Sequence, residues 1–147
     1  MRVKIKKIEE KSEEQVIIEC VEVTKEVEEI KAYALTKGLT LSGIYKEQLC
    51  TFKLEEVLYF EAVDEKVFAY TPELVYELKM RLYQVEEAYR ERHFVRCSKS
   101  FVINLMCLEG ISPALNGRFM AHMNNGEKII ISRQYVQGVK EMVWGGR

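Results

Sequence analysis

Apolar and polar positions along the chain follow two rhythms, and the change comes near residue 39. In the first 45 residues Val3 and Ile5 alternate with lysines, and Val16-Ile17-Ile18 is an apolar run short enough for a buried strand. Thr24 stands at the N-cap position of a helix over 25–37. Glu26, Glu28 and Glu29 lie in its first turns and Lys31 and Lys37 nearer its end, an order that suits the helix dipole. Val27, Ile30 and Ala34 give it one apolar face, and Gly38 stops it. The pattern predicts a small β-β-α unit followed by a further strand.

From residue 39 the rhythm is that of short strands. Leu39, Leu41 and Tyr45 alternate, Val57-Leu58-Tyr59-Phe60 reads as a buried run, Asp64-Glu65 as a turn, and Val67 to Tyr70 as the returning strand. Thr71-Pro72-Glu73 fits either a helix start or a hairpin turn into a strand at 74–78. Leu78, Leu82, Val85 and Tyr89 keep helical spacing and predict a helix over at least 79–89. Strands are expected at Phe94–Cys97 and Phe101–Leu108. Asn116-Gly117 predicts a two-residue hairpin, Asn124-Asn125-Gly126 the next turn, and Ile129-Ile130-Ile131 a buried strand. Ser132 caps a last helix whose Val136, Val139 and Val143 share a face and which ends at Gly145-Gly146. Turns at this frequency predict a mainly β domain, α+β overall, with an antiparallel sheet and short helices.

Composition adds less than the distribution of charge. The 147 residues are 48% hydrophobic and 31% charged, enough for a real core, and the formal charge is −1. That total hides three regions. Residues 1–45 hold 8 basic and 9 acidic groups, residues 47–87 hold 4 and 10, and residues 88–140 hold 8 and 3. An acidic middle beside a basic C-terminal third points to a polyanion-facing surface, or to two faces that mate with each other or with a partner protein. No apolar run approaches the length of a membrane span and the charged N-terminus carries no secretory pattern, so a cytoplasmic protein is expected. Cys20, Cys50, Cys97 and Cys107 show no metal-ligand spacing and are expected as reduced thiols, with no metal site.

Catalytic chemistry is sparse. The chain holds no phosphate-binding P-loop, no dinucleotide-binding glycine pattern and no nucleophile elbow, so no catalytic residue, cofactor or small-molecule substrate is expected. A hydrolase would need a pocket that sets His93 or His122 beside a carboxylate. Two other clusters carry more. Arg96-Cys97-Ser98-Lys99-Ser100 sits between apolar strands, where a turn pushes Ser98, Lys99 and Ser100 into solvent and offers hydroxyls and a cation together. Ser132-Arg133-Gln134 sits at a helix N-terminus, whose free N–H groups suit a phosphate oxygen. Arg and Gln there match guanine and adenine edges in bidentate fashion.

Three blocks then carry a family resemblance. Leu54-Glu55-Glu56-Val57-Leu58-Tyr59-Phe60-Glu61-Ala62 resembles the opening strand of the LytTR-type DNA-binding domain family. Phe94 to Leu105 resembles its F-x-R motif, a short polar stretch and S-[FY]-[IV]-[IV]-N. Ile131-Ser132-Arg133-Gln134-Tyr135 is similar to its closing S-R-x-Y motif. The resemblance covers about 46–143, with the blocks in the family's order. It implies an elongated antiparallel β domain that binds duplex DNA through three loops on one edge, and it favours the hairpin at Thr71-Pro72-Glu73.

Carried over by position, the loops are the turn at Asp64-Glu65 with Lys66 as reader, Ser98-Lys99-Ser100 with Ser100 on phosphate, and Ser132-Arg133-Gln134, with Arg118 adding a backbone contact. Ser98 and Lys99 stand where members often carry His followed by Arg, and Gln134 where some use Arg. Residues 1–45 are too short for the phosphoacceptor receiver that many members carry. The resemblance is therefore to receiver-less regulators, some of them controlled by a membrane-protein partner. The sequence thus predicts a DNA-binding domain over 46–147, a small N-terminal segment over 1–45 with a dimerising or regulatory role, and a homodimer on repeated half-sites. A protein-interaction module using the acidic 47–87 and basic 88–140 regions, without DNA, is the alternative.

Overall fold

The computed structural model describes residues 1–144. Among the described residues ten strands and three α-helices follow one another as α1 (Lys25–Thr36), β1 (Thr40–Tyr45), β2 (Gln48–Lys53), β3 (Tyr59–Val63), β4 (Lys66–Tyr70), β5 (Val75–Leu78), α2 (Leu82–Tyr89), β6 (Phe94–Arg96), β7 (Phe101–Asn104), β8 (Leu108–Pro113), β9 (Phe119–Met123), β10 (Lys128–Ile131) and α3 (Arg133–Trp144). All strand pairs are antiparallel. One sheet has the order β2-β1-β5-β4-β3-β7-β6, and a second has the order β10-β9-β8. The expected mainly β, antiparallel architecture is what forms.

The period-2 alternation of strands explains how β3 and β7 serve two cores at once. Phe60 and Val102 point to one face, where they pack with Phe94, Leu82 and Val85 under α2. Their neighbours Tyr59 and Ile103 point to the other face and meet Ala121, Met123, Ile129, Ile131 and Val139 of the small sheet and α3. Tyr59 also donates its hydroxyl to Glu127 Oε2 at 2.9 Å, tying β3 to the turn between β9 and β10. Burial, then the Glu127 carboxylate, raises the Tyr59 hydroxyl well above its ordinary value, so it stays a donor at neutral pH.

Several expectations are corrected. Residues 1–24 form no strand: only a single 3-10 turn at Lys11–Glu13 appears, and the run Val16-Ile17 is exposed rather than buried. The helix forms as expected, with Thr24 Oγ1 accepting from the Val27 amide at 3.4 Å. Its inward residues, however, are Val27, Ala32 and Thr36, with Ala34 facing out. The strand Thr40–Tyr45 pairs with Gln48–Lys53, so position 45/46 falls at a hairpin turn in which Lys46 and Glu47 both have positive φ.

The second helix starts at Leu82, because Leu78 is held in β5 opposite Val67. The run Phe101–Leu108 is broken at Leu105–Cys107, where the Asn104 side chain accepts from the Met106 amide at 3.0 Å and donates to the Val57 carbonyl at 2.8 Å. The Asn116-Gly117 hairpin is a longer loop than two residues, with Ala114 N–H bonded to the Arg118 carbonyl at 2.9 Å. Both Asn116 and Gly117 take the left-handed conformation that their sequence signals. Val139 is buried, and Val136 and Val143 pack against the same core, as expected. The stop at Gly145-Gly146 lies outside the described residues.

Candidate nucleic-acid interface

Backbone hydrogen bonds place the three candidate loops side by side. The β3–β4 hairpin turns at Asp64-Glu65, both with positive φ, and Val63 faces Lys66 across it. Two residues back, the Ala62 amide donates to the Ser100 carbonyl at 2.8 Å, joining this hairpin to the Ser98-Lys99-Ser100 loop. On that loop's other flank the Cys97 amide bonds the Phe101 carbonyl at 3.0 Å, and the Cys97 carbonyl accepts from the Ser132 amide at 2.9 Å. Ser132 immediately precedes α3. One chain of main-chain bonds therefore runs from the first loop through the second to the third.

The second loop is built more tightly than the sequence implies. Ser98 Oγ accepts from the amides of Ser100 and Phe101, each at 3.1 Å, so its oxygen shapes the turn rather than standing free. Arg96, which opens this polar stretch in the sequence, holds the loop from below. Its Nε and Nη2 donate to the carbonyls of Ser98 and Lys99, both at 2.7 Å, and its Nη1 meets Glu86 Oε1 of α2 at 3.1 Å. With its backbone clamped in this way, Lys99 projects into solvent from the loop's tip. An Arg two residues before a polar turn is a weak signal, since nothing in the spacing says that the guanidinium folds back.

At the third loop, Arg133 and Gln134 are exposed in the first turn of α3 and Ser132 is half-buried. Arg118 and Arg133 line one open cleft together with Asn116, and Arg118 Nε donates to the Leu115 carbonyl at 3.1 Å. Gly117 eases this approach, because a Cβ there would lie 3.2 Å from Arg133 Cδ and the arginine would have to give way slightly. Asn116 is a cleft residue that sequence reasoning valued only as a turn former. Gln134 lines a different surface, beside Glu86, Arg96 and Tyr135. Lys66 is exposed but leans on Glu77, with Nζ and Oε1 at 3.9 Å, inside the acidic part of the chain.

The remaining titratable groups have quieter settings. Burial pushes the Cys97 thiol up to about 12, with Arg96 opposing, so it is held protonated behind the second loop. All four cysteines are free. His93, in a left-handed turn, lines a cleft with Glu29 and Glu109, and its pKa is lowered chiefly by burial. His122 Nε2 lies 2.7 Å from Ser112 Oγ. Among the described residues no helix is long and apolar enough to cross a membrane.

An antiparallel β body that carries cationic and hydroxyl-bearing loops along one edge presents a loop-built surface suited to a polyanion. In this chain α2 and α3 are separated by five strands. The chain belongs to the LytTr DNA-binding domain family, which matches residues 47–144. In Staphylococcus aureus strain bovine RF122 / ET3-1, an "uncharacterized HTH-type transcriptional regulator" is 30% identical over 107 residues, covering 73% of this chain and 72% of that protein. A counterpart of the same description in strain NCTC 8325 is 29% identical over the same share. Among solved structures, the LytTr DNA-binding domain of a methyl-accepting/DNA response regulator from Bacillus cereus is similar. It is 25% identical with a TM-score of 0.67, over 71% of this chain and 95% of that one.

Proposed function

We propose that this protein is a cytoplasmic transcriptional regulator that binds duplex DNA through Lys66, Ser98-Lys99-Ser100, Arg118 and Ser132-Arg133-Gln134. The observation that carries the reading is the run of backbone bonds that sets the three loops along one edge, with Arg118 and Arg133 sharing a cleft. Lys99 and Arg118 act as phosphate contacts, and Arg133 and Gln134 lie on base edges. Ser132 and Ser100 position the backbone, and the N–H groups opening α3 favour an anion. In this reading the protein works without catalysis. Residues 46–147 form the DNA-binding domain, two copies occupy repeated half-sites, and residues 1–45 supply dimerising or regulatory contacts. A membrane-protein regulator is the partner that the family resemblance favours. The family match disfavours an interaction module that ignores DNA.

Fluorescence anisotropy with the gene's own upstream duplex, titrated with salt, tests the reading. The log–log slope should be about −0.9 per neutralised phosphate. Lys99→Ala and Arg118→Ala should each weaken binding on every sequence and make the slope shallower by about 0.9. Arg133→Ala or Gln134→Ala should cost about 1–3 kcal/mol on the preferred site and less elsewhere. A wild-type protein that binds neither the upstream duplex nor random duplexes at low salt sinks the proposal.

A further inference from the structure

The segment ahead of α1 carries chemistry that the DNA-facing edge leaves unused. It has no strand pairing, yet Val3, Ile5, Ile17 and Val21 are 85%, 92%, 69% and 106% exposed. Single exposed apolar residues are ordinary, but a run of β-branched side chains with unpaired backbone on both sides of one short turn is not. The charges in this segment are also sorted. Arg2, Lys4, Lys6 and Lys7 fall in 2–7 without an acid, and Glu13, Glu14, Glu19 and Glu22 fall in 13–22 without a base. The two stretches therefore carry +4 and −4. In the basic stretch Val3 and Ile5 alternate with Lys4 and Lys6, which gives a strand one apolar and one cationic face.

We propose that residues 1–23 are a dimerisation arm in which the basic stretch 2–7 of one copy pairs as a strand with the acidic stretch 13–22 of a second copy. A two-fold axis makes that pairing twice, because each copy offers both signs. The opposite net charges draw the two stretches together, and the exposed Val3 and Ile5 lie against the partner's apolar run. The partner is a second copy because the arm is complementary to itself and the two stretches stay unpaired within one chain. A basic arm laid along DNA would not need the acidic stretch, which the phosphates would repel. This inference rests on the dimer reading proposed above and supplies its contact surface.

Light scattering of the full chain without DNA tests it. Wild type should have twice the 17.2 kDa chain mass. The variants Lys4→Glu/Lys6→Glu and Glu19→Lys/Glu22→Lys should each be monomers, and an equimolar mixture of the two should return to the dimer mass. Recovery on mixing also proves that both variants are folded, and it separates pairing between chains from a hairpin within one chain. A monomeric wild type, or variants that stay dimeric, overturns the arm. A mixture that stays monomeric while circular dichroism shows both variants folded overturns it too. Because the mass is read without DNA, a protein that dimerises this way but binds no duplex supports the arm and sinks the DNA-binding reading alone.

Discussion

Arg96 illustrates how one side chain fixes the shape of a loop from behind it. Three of its N–H groups are committed, to the Ser98 and Lys99 carbonyls and to Glu86, and its side chain is only 18% exposed. A planar guanidinium holds two adjacent carbonyls and a carboxylate at once, which an ammonium on a flexible stem does not. Arg96→Lys keeps the charge and loses this fork. It should lower stability by about 1–2 kcal/mol in urea denaturation and weaken DNA binding while leaving the salt slope unchanged. Lys99→Ala acts the other way round: stability holds and the slope becomes shallower. If Arg96→Lys matches wild type in both measurements, the clamp does not set the loop's geometry.

Among the elements, α1 joins the domain through a small inward face, and one of its residues works against it. Thr36 is 4% exposed and its Oγ1 has no hydrogen-bond partner among the described residues. A buried hydroxyl left unpaired costs its lost hydration, and an isosteric methyl removes that cost. Thr36→Val should therefore raise the urea midpoint by the equivalent of about 1 kcal/mol, and a lowered midpoint would show a partner for the hydroxyl. The same helix shows what the sequence does and does not disclose. Its cap at Thr24 is local chemistry and was readable, as were the positive-φ turns at Asp64-Glu65 and Asn116-Gly117. Which side faces inward was not, because Ala32 and Ala34 are alike until a neighbour exists. The break after Asn104 depends on a carbonyl 47 residues away, at Val57. Leu78 satisfies helical spacing by coincidence and is claimed by its strand partner Val67. At the candidate site, motif and charge pick out the loops that the fold then brings side by side. The Arg96 clamp and the part Asn116 plays in the cleft arise only on folding.

Across the whole molecule, a formal charge of −1 conceals an edge on which two loops are cationic and one is not. The basic third supplies Lys99, Arg118 and Arg133, and one of its other lysines, Lys140, is engaged over the Phe119 ring at 4.2 Å. The first loop instead presents Asp64 and Glu65 at its tip, and its cation, Lys66, is drawn toward Glu77. Ala62 is bonded to Ser100, which couples this acidic tip to the second loop; in the proposed binding mode it approaches the phosphates together with Lys99. In that mode the tip adds a repulsive term that offsets part of what Lys66 contributes. Neutralising the tip with Asp64→Asn/Glu65→Gln should strengthen binding by about 1 kcal/mol at low salt, roughly five-fold, and raised salt should erase the gain because the Debye length falls to about 8 Å near 0.15 M. The gain should be equal on preferred and random duplexes, since charge at the tip reads no base edge. An unchanged affinity at low salt would place the first loop away from the duplex and reduce the grip to two loops.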